Sequence, residues 1–153
     1  MVRILFDFHE CLKKGLLRKT VPSKAKAKKS LEASLKWLEE AEKNFKSDAL
    51  RSSLLSAYLA VFHAARSILF LDGYREKSHA CIARYLEKKY VREGLLEPEW
   101  VEMLDHFREL RHTDQYSFNF FASADESEDT ITKSKDFVSR MEKLVHEISE
   151  NKT

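Results

Sequence analysis

Residues 54–71, LLSAYLAVFHAARSILFL, form the longest apolar stretch of the chain and carry Ser56, His63, Arg66 and Ser67 among their apolar side chains. A central arginine costs about 2.5–3.5 kcal/mol on a membrane-insertion scale, so the segment reads as the core helix of a folded bundle. A helix apolar almost all round needs other helices on every side. Asp72-Gly73 supplies a left-handed exit at its C-terminus, and Ser47 or Asp48 a cap before its N-terminus.

Working outward, Gly15, Pro22, Gly73, Gly94 and Pro98 punctuate the chain. Beyond Val21-Pro22-Ser23, the positions Leu31, Leu35, Leu38, Ala41 and Phe45 recur at helical spacing and predict a first long helix ending near residues 44–47. Ser78 opens a short helix bearing Ile82, Leu86 and Tyr90, which Gly94 closes. Pro98 sits where a first helical turn tolerates proline, ahead of Trp100, Met103, Leu104, Phe107 and Leu110. Residues 117–122 are aromatic and irregular. Ser123 and Glu126 then form a capping box for a last helix with Ile131, Phe137 or Val138, Met141, Leu144, Val145 and Ile148. The expected fold is all-α, an antiparallel bundle of four to five helices over residues 23–150, preceded by a basic segment, residues 1–22, with room for a short helix.

Composition agrees. Ala, Leu, Glu, Lys and Arg make up 76 of the 153 residues against 17 Val, Ile and Thr, a balance that excludes all-β and doubly wound folds. Cys11 and Cys81 lie far apart and match no CxxC or zinc spacing, so neither a disulfide framework nor a metal site is expected, and a reducing cytoplasm is the default. Asp7, His9 and Glu10 interrupt the apolar N-terminus before a signal-peptide core develops. Charge is uneven: Lys13 to Lys29 contains eight Lys/Arg and no acid. Such a run is either a phosphate-contacting arm or a solvated linker and helix start.

No phosphate-cradling glycine loop, nucleophile elbow or metalloprotease helix occurs. Polar chemistry gathers in three places. At the end of the helix that Pro98 opens, Arg108, His112 and Tyr116 fall at four-residue intervals with Arg111 and Gln115 on the adjoining strip. In the central helix, His63 and Arg66 stand among apolar neighbours and need partners on other elements. Between them, Asp72-Gly73-Tyr74-Arg75-Glu76-Lys77-Ser78-His79 reads as a turn plus a helix cap whose basic groups face solvent.

The ordered series Tyr58-x-x-x-Phe62-His63-Ala64-Ala65-Arg66, Asp72 to His79, Gly94-Leu95-Leu96 and Arg108-x-x-Arg111-His112-x-x-Gln115-Tyr116 resembles the HEPN domain over about residues 25–148. The resemblance implies a helical bundle, commonly a homodimer, frequently working with a minimal nucleotidyltransferase in toxin–antitoxin modules. Many such proteins are ribonucleases that need no metal or other cofactor and whose site straddles the dimer interface. Carried over residue by residue, it implies Arg111, His112 and Tyr116 as catalytic positions. Arg108, Gln115, His63, Arg66, Lys77 and His79 are then expected to contact substrate.

One position departs from the pattern: where the ribonucleases place histidine after four to six intervening residues, this chain has Tyr116 after four. A phenol with a pKa near 10 is ionised in only about one molecule in a thousand at neutral pH, so His112 is the alternative proton carrier. Two functions follow. One is a toxin-like, metal-independent endoribonuclease acting on RNA at a dimer interface. The other is a non-catalytic module that binds a nucleotide or serves a nucleotidyltransferase partner.

Overall fold

The computed structural model describes residues 7–116 and 122–151, with side chains outside residues 113–116. Its elements are α1 (Phe8–Lys13), β1 (Leu17–Lys19), α2 (Lys24–Lys46), α3 (Leu50–Asp72), β2 (Tyr74–Glu76), α4 (His79–Leu86), a π-helical turn (Glu87–Val91), α5 (Pro98–Tyr116) and α6 (Ala124–Asn151). The bundle is all-α apart from one antiparallel two-stranded ribbon, which pairs Leu17 with Glu76, Arg18 with Arg75 and Lys19 with Tyr74. Composition alone gave no sign of that ribbon; Thr20 N donating to Gly73 O at 2.8 Å and Lys77 N donating to Leu16 O at 2.8 Å extend it.

The apolar segment 54–71 is the centre, as its all-round hydrophobicity requires. Leu50–Asp72 is long and apolar enough to cross a bilayer, but most of it is buried against α2, α4, α5 and α6. Contact with α2 is close because small residues line it. Ser30 Oγ donates to His63 O at 2.6 Å, Ser34 Oγ to Ala60 O at 2.7 Å and Ser53 Oγ to Ala41 O at 2.7 Å. Residue numbers fall on one helix as they rise on the other, so the pair is antiparallel. The buried stripe of α2 is Ala27, Ser30, Ser34, Leu38 and Ala41. Of the expected face, Leu38 and Ala41 are buried and Leu31 and Phe45 pack partly buried against the core, but Leu35 is corrected: it is 43% exposed. The closer approach favours side chains that bond to the neighbouring backbone over ones that only fill volume.

Two further expectations change at the turns. Neither Ser47 nor Asp48 caps α3; Ala49 holds the N-cap position without a side-chain bond, and Asp48 adopts φ 60° to reverse the chain. A short polar side chain tolerates that left-handed geometry, so Asp48 serves the exit of α2. Ser78 precedes α4 but its hydroxyl makes no cap bond. By contrast Ser123 Oγ accepts from Glu126 N at 3.1 Å. The aromatic stretch expected to be irregular, residues 117–121, lies outside the described residues.

The π-helical turn redirects Tyr90. Its hydroxyl and that of Tyr85, which lies 2.7 Å from Oδ2, both donate to the Asp72 carboxylate at the end of α3. Burial above all, reinforced by that carboxylate, pushes both phenols far above their ordinary ionisation range.

Cys11 and Cys81 are joined by a disulfide, with Cα atoms 5.9 Å apart. This overturns the expectation that the cysteines are unbridged, and with it the cysteine argument for a reducing compartment. Their separation of 70 residues concealed the contact, since α1 folds back onto α4. In consequence the two redox forms should not behave alike. Changing both cysteines to serine should lower stability by about 2–4 kcal/mol, seen in chemical denaturation; coincident curves with and without reductant would contradict the bridge.

Gly73 ends α3 with φ 85°, and a Cβ there would meet Thr20 O and Pro22 Cγ, each at 2.8 Å. Backbone cannot yield as a flexible side chain can. Gly73→Ala should therefore cost about 1–3 kcal/mol, lowering the thermal midpoint by several degrees; an unchanged midpoint would reject this account of the turn.

Candidate functional site

Three elements converge on the C-terminal half of α3. From α3 come Phe62, His63 and Arg66; the first residue of α4 is His79; Arg108 and Arg111 come from α5. Arg66 cannot stand unpaired on a helix so largely buried. Its Nε donates to Glu76 Oε1 at 2.5 Å, and the Glu76 side chain is only 3% exposed. Because residues of β2 alternate sides, Glu76 faces the bundle while Arg75 faces solvent. The ion pair thereby fixes the ribbon and delivers His79 three residues later.

His79 stacks on Phe62 with ring centroids 4.5 Å apart and planes inclined by 26°. The Arg111 guanidinium lies 5.7 Å from the same phenyl centroid, a cation–π contact. Arg111 Nη1 is 3.1 Å from His79 Nδ1. Guanidinium has no acceptor, so it donates and Nδ1 accepts; the imidazole proton of neutral His79 is thus on Nε2. Burial first, then the charges of Arg111, Arg66, Arg108 and His63, hold the His79 pKa down to about 4. Burial and Arg66 lower that of His63 in the same way. Positive charge at neutral pH therefore resides on the arginines.

Those arginines are unequally compensated. Arg66 has Glu76. Arg108 Nη2 lies 3.9 Å from Asp105 Oδ1 and 3.7 Å from Glu109 Oε1, but Asp105 already binds the buried Arg84 at 2.6 Å through its other oxygen. Arg111 has no carboxylate partner among the described residues; its contacts there are a neutral imidazole and a phenyl face. An uncompensated guanidinium beside a second one that is 28% exposed favours an anion.

The structure therefore brings together five of the expected site residues: His63, Arg66, His79, Arg108 and Arg111. Lys77 and His112 are exposed, and His112 is not among the groups that act on His79. Gln115 and Tyr116 belong to the backbone of α5, but their side chains lie outside the described residues. His79 faces this cluster, which corrects the reading of residues 72–79 as a turn whose basic groups all face solvent. Sequence reasoning missed the roles of Phe62 and Glu76. An arginine on an apolar helix signalled that a carboxylate was required, though not which one.

A family model described as HEPN domain matches residues 27–146. The protein of Methanocaldococcus jannaschii named "Putative toxin MJ0605" is 27% identical over 135 residues, covering 88% of this chain and 98% of that protein. A UPF0332 protein of Thermotoga maritima is 22% identical over 111 residues, covering 72% and 84% of the two chains. A UPF0332 protein of Pyrococcus horikoshii is 34% identical over 59 residues, covering 39% and 42%.

A depressed histidine pKa carries a sign. Unfolded His79 takes up a proton near pH 6.5, whereas in the fold it does so near 4. Stability from its neutral form is therefore complete above about pH 6.5 and lost as pH falls through that window to 4. An NMR titration should place the His79 midpoint far below those of exposed histidines, with the Nε2–H tautomer at pH 7. Arg111→Gln should raise the midpoint part of the way, because burial persists; an ordinary midpoint in the unsubstituted protein would refute the arrangement.

Proposed function

Because the chain belongs to the HEPN family, we propose that it is a toxin-like RNA-directed module whose Arg108/Arg111 cluster holds a phosphate of the nucleic-acid backbone. The observation that carries this reading is Arg111, a guanidinium oriented by neutral partners and lacking a carboxylate among the described residues. His79 is a positioning residue, since its Nδ1 is engaged by Arg111. The name of the Methanocaldococcus jannaschii relative supports the toxin-like assignment.

In the catalytic form of this proposal, a ribose 2′-hydroxyl attacks the adjoining phosphorus. The O2′–P bond forms, the P–O5′ bond breaks, and a proton leaves O2′ while another reaches O5′. Arg108 and Arg111 stabilise the charge on the phosphoryl oxygens, and exposed His112 serves as the proton carrier, with a second copy of the chain completing a shared cleft as the family resemblance implies.

A second reading is favoured by Tyr116 and by the two neutral, partly buried imidazoles. With Nδ1 of His79 occupied and tyrosine in the expected histidine slot, the module binds RNA or a nucleotide without cleaving it and serves a nucleotidyltransferase partner. Incubation with RNA in chelator separates the two readings. The ribonuclease predicts cleavage that Arg111→Ala/His112→Ala abolishes, whereas the binding module predicts intact RNA. In either case Arg111→Gln should weaken RNA binding about 10–100-fold, the range for a hydrogen-bonded charge. Affinity unchanged by that substitution would sink both.

A further inference from the structure

Outside the cluster, the strongest unexplained feature is the solvent face of the ribbon. Arg18 and Arg75 are direct cross-strand partners and both are exposed. Like charges directly opposite on paired strands are destabilising, and a ribbon of three residue pairs has little stability to spare. No carboxylate pairs with either arginine among the described residues; Arg18 Nε donates to Gly15 O at 3.3 Å. Lys77 continues the same face two residues beyond Arg75, about 7 Å along a strand, and is also exposed. The nearest carboxylate of β2, Glu76, is turned inward onto Arg66.

This face is held in place. The disulfide Cys11–Cys81 ties the segment preceding β1 to α4, and Leu17 is buried beneath β1. Moreover β1 precedes residue 27, where the family match begins. The paired arginines thus join a strand that precedes the matched region to one within it.

We infer that the exposed face of the ribbon, Arg18, Arg75 and Lys77, is a second phosphate-contact surface for the same RNA strand that occupies the Arg108/Arg111 cluster. Guanidinium pairs match phosphate oxygens in geometry as well as charge. Lys77 and Arg75 lie two and four residues before His79, so their Cα atoms are within about 7 and 14 Å of it, a span that a strand of several nucleotides covers. The bound backbone relieves the Arg18–Arg75 repulsion, which explains two like charges where packing alone would select against them. The inference rests on the RNA reading given above.

Binding of fluorescently labelled single-stranded RNA at several salt concentrations tests it, using a four-nucleotide and a twenty-nucleotide probe, on the full chain with its disulfide intact. For Arg18→Gln/Arg75→Gln, affinity for the longer probe should fall about tenfold, and the salt slope by about 1.4, near 0.7 for each lost phosphate contact. The short probe should bind as before, and Arg111→Gln should weaken both. Arg75→Gln alone, which leaves the Arg18–Gly15 contact intact, should show about half the change in slope. Thermal midpoints of both variants should equal or exceed that of the unsubstituted protein, since a repulsion has been removed.

An unchanged long-probe affinity and slope overturns the ribbon surface while leaving the Arg111 reading intact. Equal loss for both probes overturns it too, as would loss of binding only to phosphatidylserine vesicles measured in parallel. Failure of the unsubstituted protein to bind either RNA overturns both readings.

Discussion

The Arg66–Glu76 ion pair is the constraint on which the site depends. A guanidinium on the central helix requires a carboxylate within hydrogen-bond reach, and Glu76 supplies it from the short strand that follows the exit of α3. Satisfying that requirement sets the facing of β2, with Glu76 inward and Arg75 outward. It also places the start of α4 over Phe62. The stacked His79 and its contact with Arg111 therefore follow from an interaction that is itself structural. Removing the carboxylate would leave a partly buried charge unpaired and the ribbon unanchored, so the cost would include the geometry of neighbouring residues.

The large architecture was legible because hydrophobic period and punctuation agree. Segment 54–71, the Gly73 exit, the Pro98 start and the Ser123 bond to Glu126 all express local rules whose evidence lies within a few residues. What escaped depended on contacts between distant segments. The buried serines of α2 are polar in composition but become core residues because their hydroxyls reach carbonyls of α3. Cys11 and Cys81 carry no motif, and only the return of α1 across α4 brings them together. The ribbon is too short for an alternating pattern to distinguish it from a loop.

The candidate site shows the same division. Residue types were visible in three clusters, and helical spacing correctly put Arg108 and Arg111 on neighbouring strips of one helix. Spacing could not show that His79 from a different helix meets Arg111, or that Phe62 carries both groups. Nor could it reveal that Asp105 is already committed to Arg84, which limits its compensation of Arg108.

In a cluster of several arginines the imidazoles are neutral, so the charge available to an anion is fixed across the physiological range and does not switch on with histidine protonation. Arg111 can be oriented by His79 without losing charge, because its partner is a neutral acceptor; a carboxylate in that place would have oriented it equally well and cancelled its attraction for phosphate. Phe62 serves the same end by presenting the negative face of its ring. Neutral orientation is what separates Arg111 from Arg66, whose charge is spent on holding the fold, and it is the physical ground for assigning ligand contact to the guanidinium on α5.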